Sequence, residues 1–212
     1  MAIFEDHLLR LRPFLFHTTS RNNLESIGAS RQLRSARSLL AGTEYEKHLR
    51  GRRLQNHTIT INGSPIDIRD HRPLAPGAID LQDGLTLDQY IAELNRRVFL
   101  WAGVEGGPRG RGLAHFQRYQ GEGSVAIIRV PTQSMLATNT TRQLSVTRCN
   151  SGSARCHDGH PVPRGLSTFQ PLESAKFGAA DVVEITYIDW ADLPENAQFA
   201  ADIAGPWKPM WP

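Results

Sequence analysis

The sequence predicts one α+β domain, and three observations carry that prediction. Segments with helical spacing of apolar residues crowd the first half of the chain, whereas runs rich in valine and isoleucine crowd the second. No stretch is long enough in Pro, Gly or Ser to act as a linker, so residues 1–212 read as a single unit. Apolar residues make up 40% and charged residues 21%, the balance of a chain that closes a core rather than staying disordered.

The elements follow in order. "IFEDHLLRL" sets Ile3, Phe4, Leu8 and Leu11 on one helical face, and Pro13 stops that helix. "FLFHTT" favours β-structure and reads as a buried strand ending near His17. Ser20 caps a helix with Leu24 and Ile27 turned inward, and Gly28 ends it. Ser35 to Leu40 and Glu44 to Arg53 are two further helical pieces. In "HTITINGSPIDIRD" isoleucines alternate with polar residues on either side of Asn62-Gly63, the pattern of a β-hairpin. Thr86 caps "LDQYIAELNRR", whose Leu87, Ile91 and Leu94 share a face. "VFLWA" is a buried strand and "GVEGGPRGRG" a flexible loop. "SVAIIRV" is a strand, "TQSMLAT" a short helix, and "LSVTRC" and "DVVEITYID" are strands. The ending "AGPWKPMWP" is expected to pack across the surface without regular structure.

Composition narrows the function classes. No apolar run approaches the roughly 20 residues that a membrane helix needs. Glu5, Asp6 and His7 interrupt the first apolar stretch, which therefore does not read as a secretory signal. Cys149 and Cys156 are the only cysteines, too few for a disulfide scaffold, so a cytoplasmic location is expected. Formal net charge is only +3, but arginines gather at 31–37, 50–53, 69–72, 96–97 and 109–118. A guanidinium is a planar fork of donors suited to phosphate. A solvated basic surface is the plainer account of some of these clusters.

Three constellations could carry chemistry. His17, Thr18 and Thr19 put an imidazole and two hydroxyls beside a helix start, where they suit a ribose or an amide. A histidine hydrogen-bonded inside the core is the alternative. Glu184 lies among Val182, Val183, Ile185 and Tyr187. Burying an unpaired carboxylate costs several kcal/mol or raises its pKa, so this acid either has a task or faces water from an edge strand. The third is "CNSGSARCHDGHPVPRGLSTF". Its Asn150, Ser151, Gly152 and Ser153, with Arg155, Arg164, Ser167 and Thr168, offer amides, hydroxyls and charge to a phosphate. Cys149, Cys156, His157 and His160 allow a zinc reading, but an adjacent Cys-His pair departs from structural zinc spacing and no metal is expected. Neither a Walker loop nor a dinucleotide glycine fingerprint occurs.

The blocks "LFHTT..NLESI", "IRDHRPL", "LNRRVFLW", "NSGSAR", "RGLSTFQPL" and "VVEIT" stand in that order between residues 14 and 190. As an ordered set they resemble an uncharacterised bacterial family marked by LN.RVFFW, NSG and RG..TF blocks. That layout is distantly similar to the DarT-type ADP-ribosyltransferases, DNA-modifying toxins. The resemblance implies a split β-sheet that binds NAD between its halves, and transfer of ADP-ribose with release of nicotinamide. It gives His17, with Thr18 and Thr19, the NAD ribose, Phe99 and Trp101 the stacking walls, and Glu184 the catalytic carboxylate. Arg97 is taken as the catalytic arginine, although Arg52, Arg53 and Arg69 compete for that role. Arg164, Asn150, Ser151 and Thr168 are assigned to phosphate. Residues 150–169 have no clear counterpart in the DarT-type enzymes. DNA or RNA is the acceptor that the resemblance suggests, since "GPRGRG" suits a nucleic-acid backbone. An antitoxin or regulator would accompany such a toxin. A non-enzymatic nucleotide- or nucleic-acid-binding module and a zinc-stabilised interaction domain remain the rival readings.

Overall fold

A computed structural model describes residues 2–61, 63–121, 123–154 and 158–211. Among the described residues there are six α-helices, four of them before residue 96: Ala2–Leu11 (α1), Leu24–Ser30 (α2), Ala36–Leu40 (α3), Leu87–Asn95 (α4), Arg111–Gln120 (α5) and Thr132–Thr138 (α6). The strands of the first half are Phe14–Ser20 (β1), Gln32–Arg34 (β2), His57–Ile61 (β3), Ser64–Ile68 (β4) and Ile79–Leu81 (β5). Those that follow are Arg97–Val104 (β6), Gly107–Pro108 (β7), Val125–Pro131 (β8), Leu144–Thr147 (β9), Val162–Arg164 (β10) and Gln170–Pro171 (β11). Glu184–Ile188 (β12), Trp190–Asp192 (β13), Gln198–Ala200 (β14) and Lys208–Pro209 (β15) complete the set. The fold is α+β, with antiparallel pairing throughout its main sheet.

That sheet runs β11-β9-β12-β6-β1-β8-β14-β15, with β7 folded back on β6. Successive side chains of a strand face opposite ways. Leu15, Leu100, Ile128 and Ile185 therefore meet Leu8 of α1 and Met135 of α6 on one face. Phe16, Trp101 and Ile127 meet Phe116 and Tyr119 of α5 on the other. Tyr90, Ile91 and Leu94 of α4 pack with Leu74 and Phe169, and the β3–β4 hairpin encloses Ile59, Ile66 and Ile68 with Leu40.

The sheet opens between its two central strands. β1 and β6 pair from Phe14–Gly103 through Phe16–Trp101, and the ladder stops there. Both strands run on, β1 against β8 as far as Ser20, and β6 against β12 back to Arg97. This fork is the feature that shapes the site.

Several local expectations are corrected. The first strand ends at Ser20 rather than near His17, and Ser20 accepts the Asn22 amide as the cap of a 3₁₀ turn. Helix α2 is ended by Arg31 in the left-handed conformation (φ 54°), not by Gly28. Only one 3₁₀ turn, Glu46–Leu49, forms within residues 44–53. The "GVEGGPRGRG" segment is no flexible loop, because β7 doubles back on β6 and α5 begins at Arg111. The doubling needs small residues: a Cβ on Gly103 would lie 2.7 Å from the Phe16 ring and against the Gly107 carbonyl. The tryptophan-rich end adds β15 to the edge of the sheet, through β14, instead of lying unstructured. In the hairpin, Asn62 lies outside the described residues.

Candidate functional site

Thr147, Glu184, Trp101 and Phe16 lie in one register row across β9, β12, β6 and β1. Residues of one row project to the same face. Glu184 thus stands on an interior strand, on the α5 face, at the level where β1 and β6 part. It is 1% exposed, which removes the edge-strand reading.

The carboxylate is held from one side. Oε2 accepts from Ser151 Oγ at 2.8 Å and from the Ser151 amide at 3.2 Å, and lies 3.0 Å from Thr147 Oγ1. Among the described residues Oε1 takes no hydrogen bond. Burial raises the carboxyl pKa from the ordinary 4.5 to about 7, against the lowering by Ser151, Thr147 and the Arg164 charge. Both protonation states are therefore populated near neutrality, which suits a group that gives and takes a proton. The Thr147 hydroxyl also reaches the Cys149 carbonyl at 2.7 Å.

The turn that holds Glu184 is itself braced. Arg164 Nη2 donates to the Asn150 carbonyl at 3.1 Å and the Ser153 carbonyl at 3.4 Å, and Tyr90 donates to the Ser151 carbonyl at 3.0 Å. Arg164 is 6% exposed and does not line the cleft, nor does Thr168, whose hydroxyl accepts the Gly165 amide at 3.0 Å. The phosphate role expected of Arg164 and Thr168 is thus replaced by support of the loop. Ser151 serves the carboxylate, and Asn150 alone of the four expected there faces the cleft.

Across the fork, His17 Nδ1 lies 2.9 Å from the Phe99 carbonyl. Donation to that carbonyl leaves Nε2 as an acceptor and ties the two strands together just past the end of their ladder. Burial lowers the His17 pKa, so the ring is neutral at physiological pH. Thr18 Oγ1 is buried on the cleft wall and, among the described residues, has no partner, whereas Thr19 Oγ1 accepts from Asn23 Nδ2 at 3.1 Å. Phe99 is half-buried in the wall.

Two expected residues are less free than the sequence suggested. Trp101 is 4% exposed, with the His115 ring centroid 5.0 Å away and Gly112 packed against its Cβ, so it forms a floor rather than an open stacking wall. Arg97 lines the cleft, but Nη2 pairs with Glu93 at 3.2 Å, Nη1 donates to Thr186 at 3.3 Å, and its Cζ lies 3.9 Å from the Phe169 ring centroid. Its Nε is buried and, among the described residues, has no partner.

Other residues of the cleft went unassigned in the sequence. His115 and Tyr119 come from α5, where Leu113, Phe116 and Tyr119 repeat every three positions behind the "GPRGRG" opening. Burial, with Arg69, His17 and Arg118 nearby, lowers the His115 pKa to about 3 and keeps it neutral. Arg69 lines the same wall with its Cζ 4.1 Å from the Tyr119 ring centroid. Arg53 is spent on the carbonyls of His48 and Arg69 and on His71 Nε2 at 3.0 Å, its pKa lowered by burial to about 10. Of the zinc alternative, Cys156 and His157 lie outside the described residues, as does Arg155. Among the described residues no three metal-ligating side chains cluster, and no helix is long and apolar enough to cross a membrane.

No curated protein matches the chain. A model of a family of unknown function, DUF7002, matches residues 13–186, from Pro13, just before β1, to Thr186, two residues beyond Glu184. The chain that carries the fork and its carboxylate thus belongs to the DUF7002 family.

Proposed function

We propose that this protein transfers ADP-ribose from NAD to an acceptor, with Glu184 as the catalytic carboxylate. The observation that carries the reading is the register row that sets a wholly buried glutamate at the mouth of a forked sheet, in a cleft that His17 of the other branch also lines. An enzyme with the DarT-type layout would need this arrangement, and the fork supports that resemblance.

The cleft residues fit NAD as a substrate. The unpartnered Thr18 hydroxyl and His17 Nε2 suit ribose hydroxyls, and Asn150 suits an amide or a hydroxyl. Arg69 and Arg34 line the cleft and suit the pyrophosphate better than Arg97, which is committed to Glu93. When the bond between ribose C1′ and the nicotinamide nitrogen breaks, its electron pair leaves with nicotinamide and positive charge grows on the sugar. Glu184 stabilises that charge, which is absent in the ground state, and accepts the proton of the acceptor as the acceptor bonds to C1′. Arg97 and Arg164 act as positioning residues, one for β6 and β12 and the other for the Ser151 turn. A nucleic-acid acceptor and a toxin role follow from the resemblance, and the acceptor is what separate nucleic-acid and polypeptide pools would decide.

The test is nicotinamide release on incubation with NAD and those acceptor pools. Release that needs one pool supports transfer. Tight NAD binding without release makes the protein a binding module, and no binding at all removes NAD from the account.

A further inference from the structure

A second cavity lies outside the cleft, beside Ala102 of β6 and the segment that leads into β12. Arg12, Arg109, Arg111 and Arg148 line it, with Asp181 as a lining carboxylate. Arg109, Arg111 and Arg148 are exposed, and Arg12 is 9% exposed. The Arg12 guanidinium is fixed by the carbonyls of Leu11, Ala180 and Val182, none of which cancels its charge. Among the described residues none of the four arginines makes an ion pair. Four positive groups therefore face one carboxylate, and burial, with Arg109 nearby, depresses the Arg12 pKa while Asp181 raises it. Unneutralised like charges around one cavity are unfavourable until an anion enters. The ten-residue helix α5 begins at this cavity, with Gly110 as its N-cap and Arg111 as its first residue, so the chain holds Arg109 and Arg111 on the cavity's rim.

We propose that this cavity is a phosphate-binding site distinct from the NAD cleft. The guanidiniums of Arg109, Arg111 and Arg148 would grip the phosphate oxygens over the fixed charge of Arg12. The phosphate comes from a small phosphorylated ligand or from a phosphodiester backbone. The site abuts the cleft through the chain: Val183 precedes Glu184, Ala102 follows Trp101, and Arg148 precedes the Cys149–Ser153 turn. The inference stands whether or not NAD is the substrate of the cleft.

The experiment is titration of the intact protein with pyrophosphate and, separately, with a short single-stranded oligonucleotide, read by calorimetry. Comparison is with Arg109→Gln/Arg111→Gln, and with Lys47→Gln/Arg50→Gln as a control of equal charge change on exposed residues elsewhere. Losing one charge-assisted contact is worth roughly tenfold in affinity, so the first pair should weaken binding by at least about tenfold and the control by far less. Arg148→Gln should act in the same direction. Binding of pyrophosphate as tight as that of the oligonucleotide assigns a small ligand. Tighter oligonucleotide binding with a steep salt dependence assigns a backbone. Binding unchanged in the Arg109/Arg111 variant, lost equally in the control, or absent for both probes overturns the proposal.

Discussion

Replacing Glu184 with glutamine separates what the carboxylate does for the reaction from what it does to the fold. The substitution keeps shape, and the amide oxygen can still accept from Ser151, while the negative charge is lost. Burial that moves the carboxyl pKa from 4.5 to about 7 disfavours the ionised, folded form by roughly 3 kcal/mol at high pH. Because the folded pKa lies above the unfolded one, this group supports folding most fully below about 4.5 and that support is lost as pH rises through about 7. Glu184→Gln should therefore melt higher than the parent at pH 8, by up to about 6–12 °C for a chain of this length, and the advantage should shrink steadily toward pH 5. Catalysis should move the other way, with turnover falling at least about a hundredfold while NAD affinity changes little. Calorimetric melting across pH and single-turnover nicotinamide release read the two effects in the same preparations. A variant that melts lower than the parent at pH 8, or turns over normally, refutes the reasoning.

Further outcomes follow from other contacts. His17→Ala should weaken NAD binding about tenfold, with a smaller effect on saturated turnover, because a ribose contact acts in both states; equal NAD affinity would count against it. Arg164→Gln removes a charge that favours ionised Glu184, so the rate–pH midpoint should move upward from about 7. An unshifted midpoint in folded protein would deny that coupling. Gly103→Ala should cost about 1–3 kcal/mol by overpacking against the Phe16 ring and Pro108, seen as a lower melting temperature at every pH. A wild-type melting curve would show that the β6–β7 turn yields more easily than its contacts imply.

The sequence showed those elements whose local signals agreed with their burial. The Thr86 cap, the β3–β4 hairpin and the valine- and isoleucine-rich strands all formed within a few residues of their expected places. What it hid depended on partners far along the chain. Nothing near residue 100 says that β6 meets β1 only from Trp101 onward, because the fork is a relation between strands some 80 positions apart. Glycines at 103 and 107 read as flexibility, although one is small because Phe16 and Pro108 crowd it. Helix α5 was concealed by the same composition, and His115 and Tyr119 with it. The Glu184 signal, an acid among valines, was legible, whereas its holders Ser151 and Thr147 sit 33 and 37 positions away and become its partners only in the fold. Arg164 shows the converse: an arginine in a promising place braces the Asn150–Ser153 turn instead of lining the cleft.

The central claim is ADP-ribosyl transfer through Glu184. It is tested most directly with NAD labelled separately in its adenine and nicotinamide halves, offered to wild type and Glu184→Gln with DNA, RNA and protein pools. The account predicts that wild type moves the adenine label onto one pool and frees an equal amount of nicotinamide, and that Glu184→Gln, still folded and still binding NAD, does neither at a comparable rate. Label transfer by the variant at the wild-type rate, or no transfer and no nicotinamide release from wild type with any pool, would contradict it.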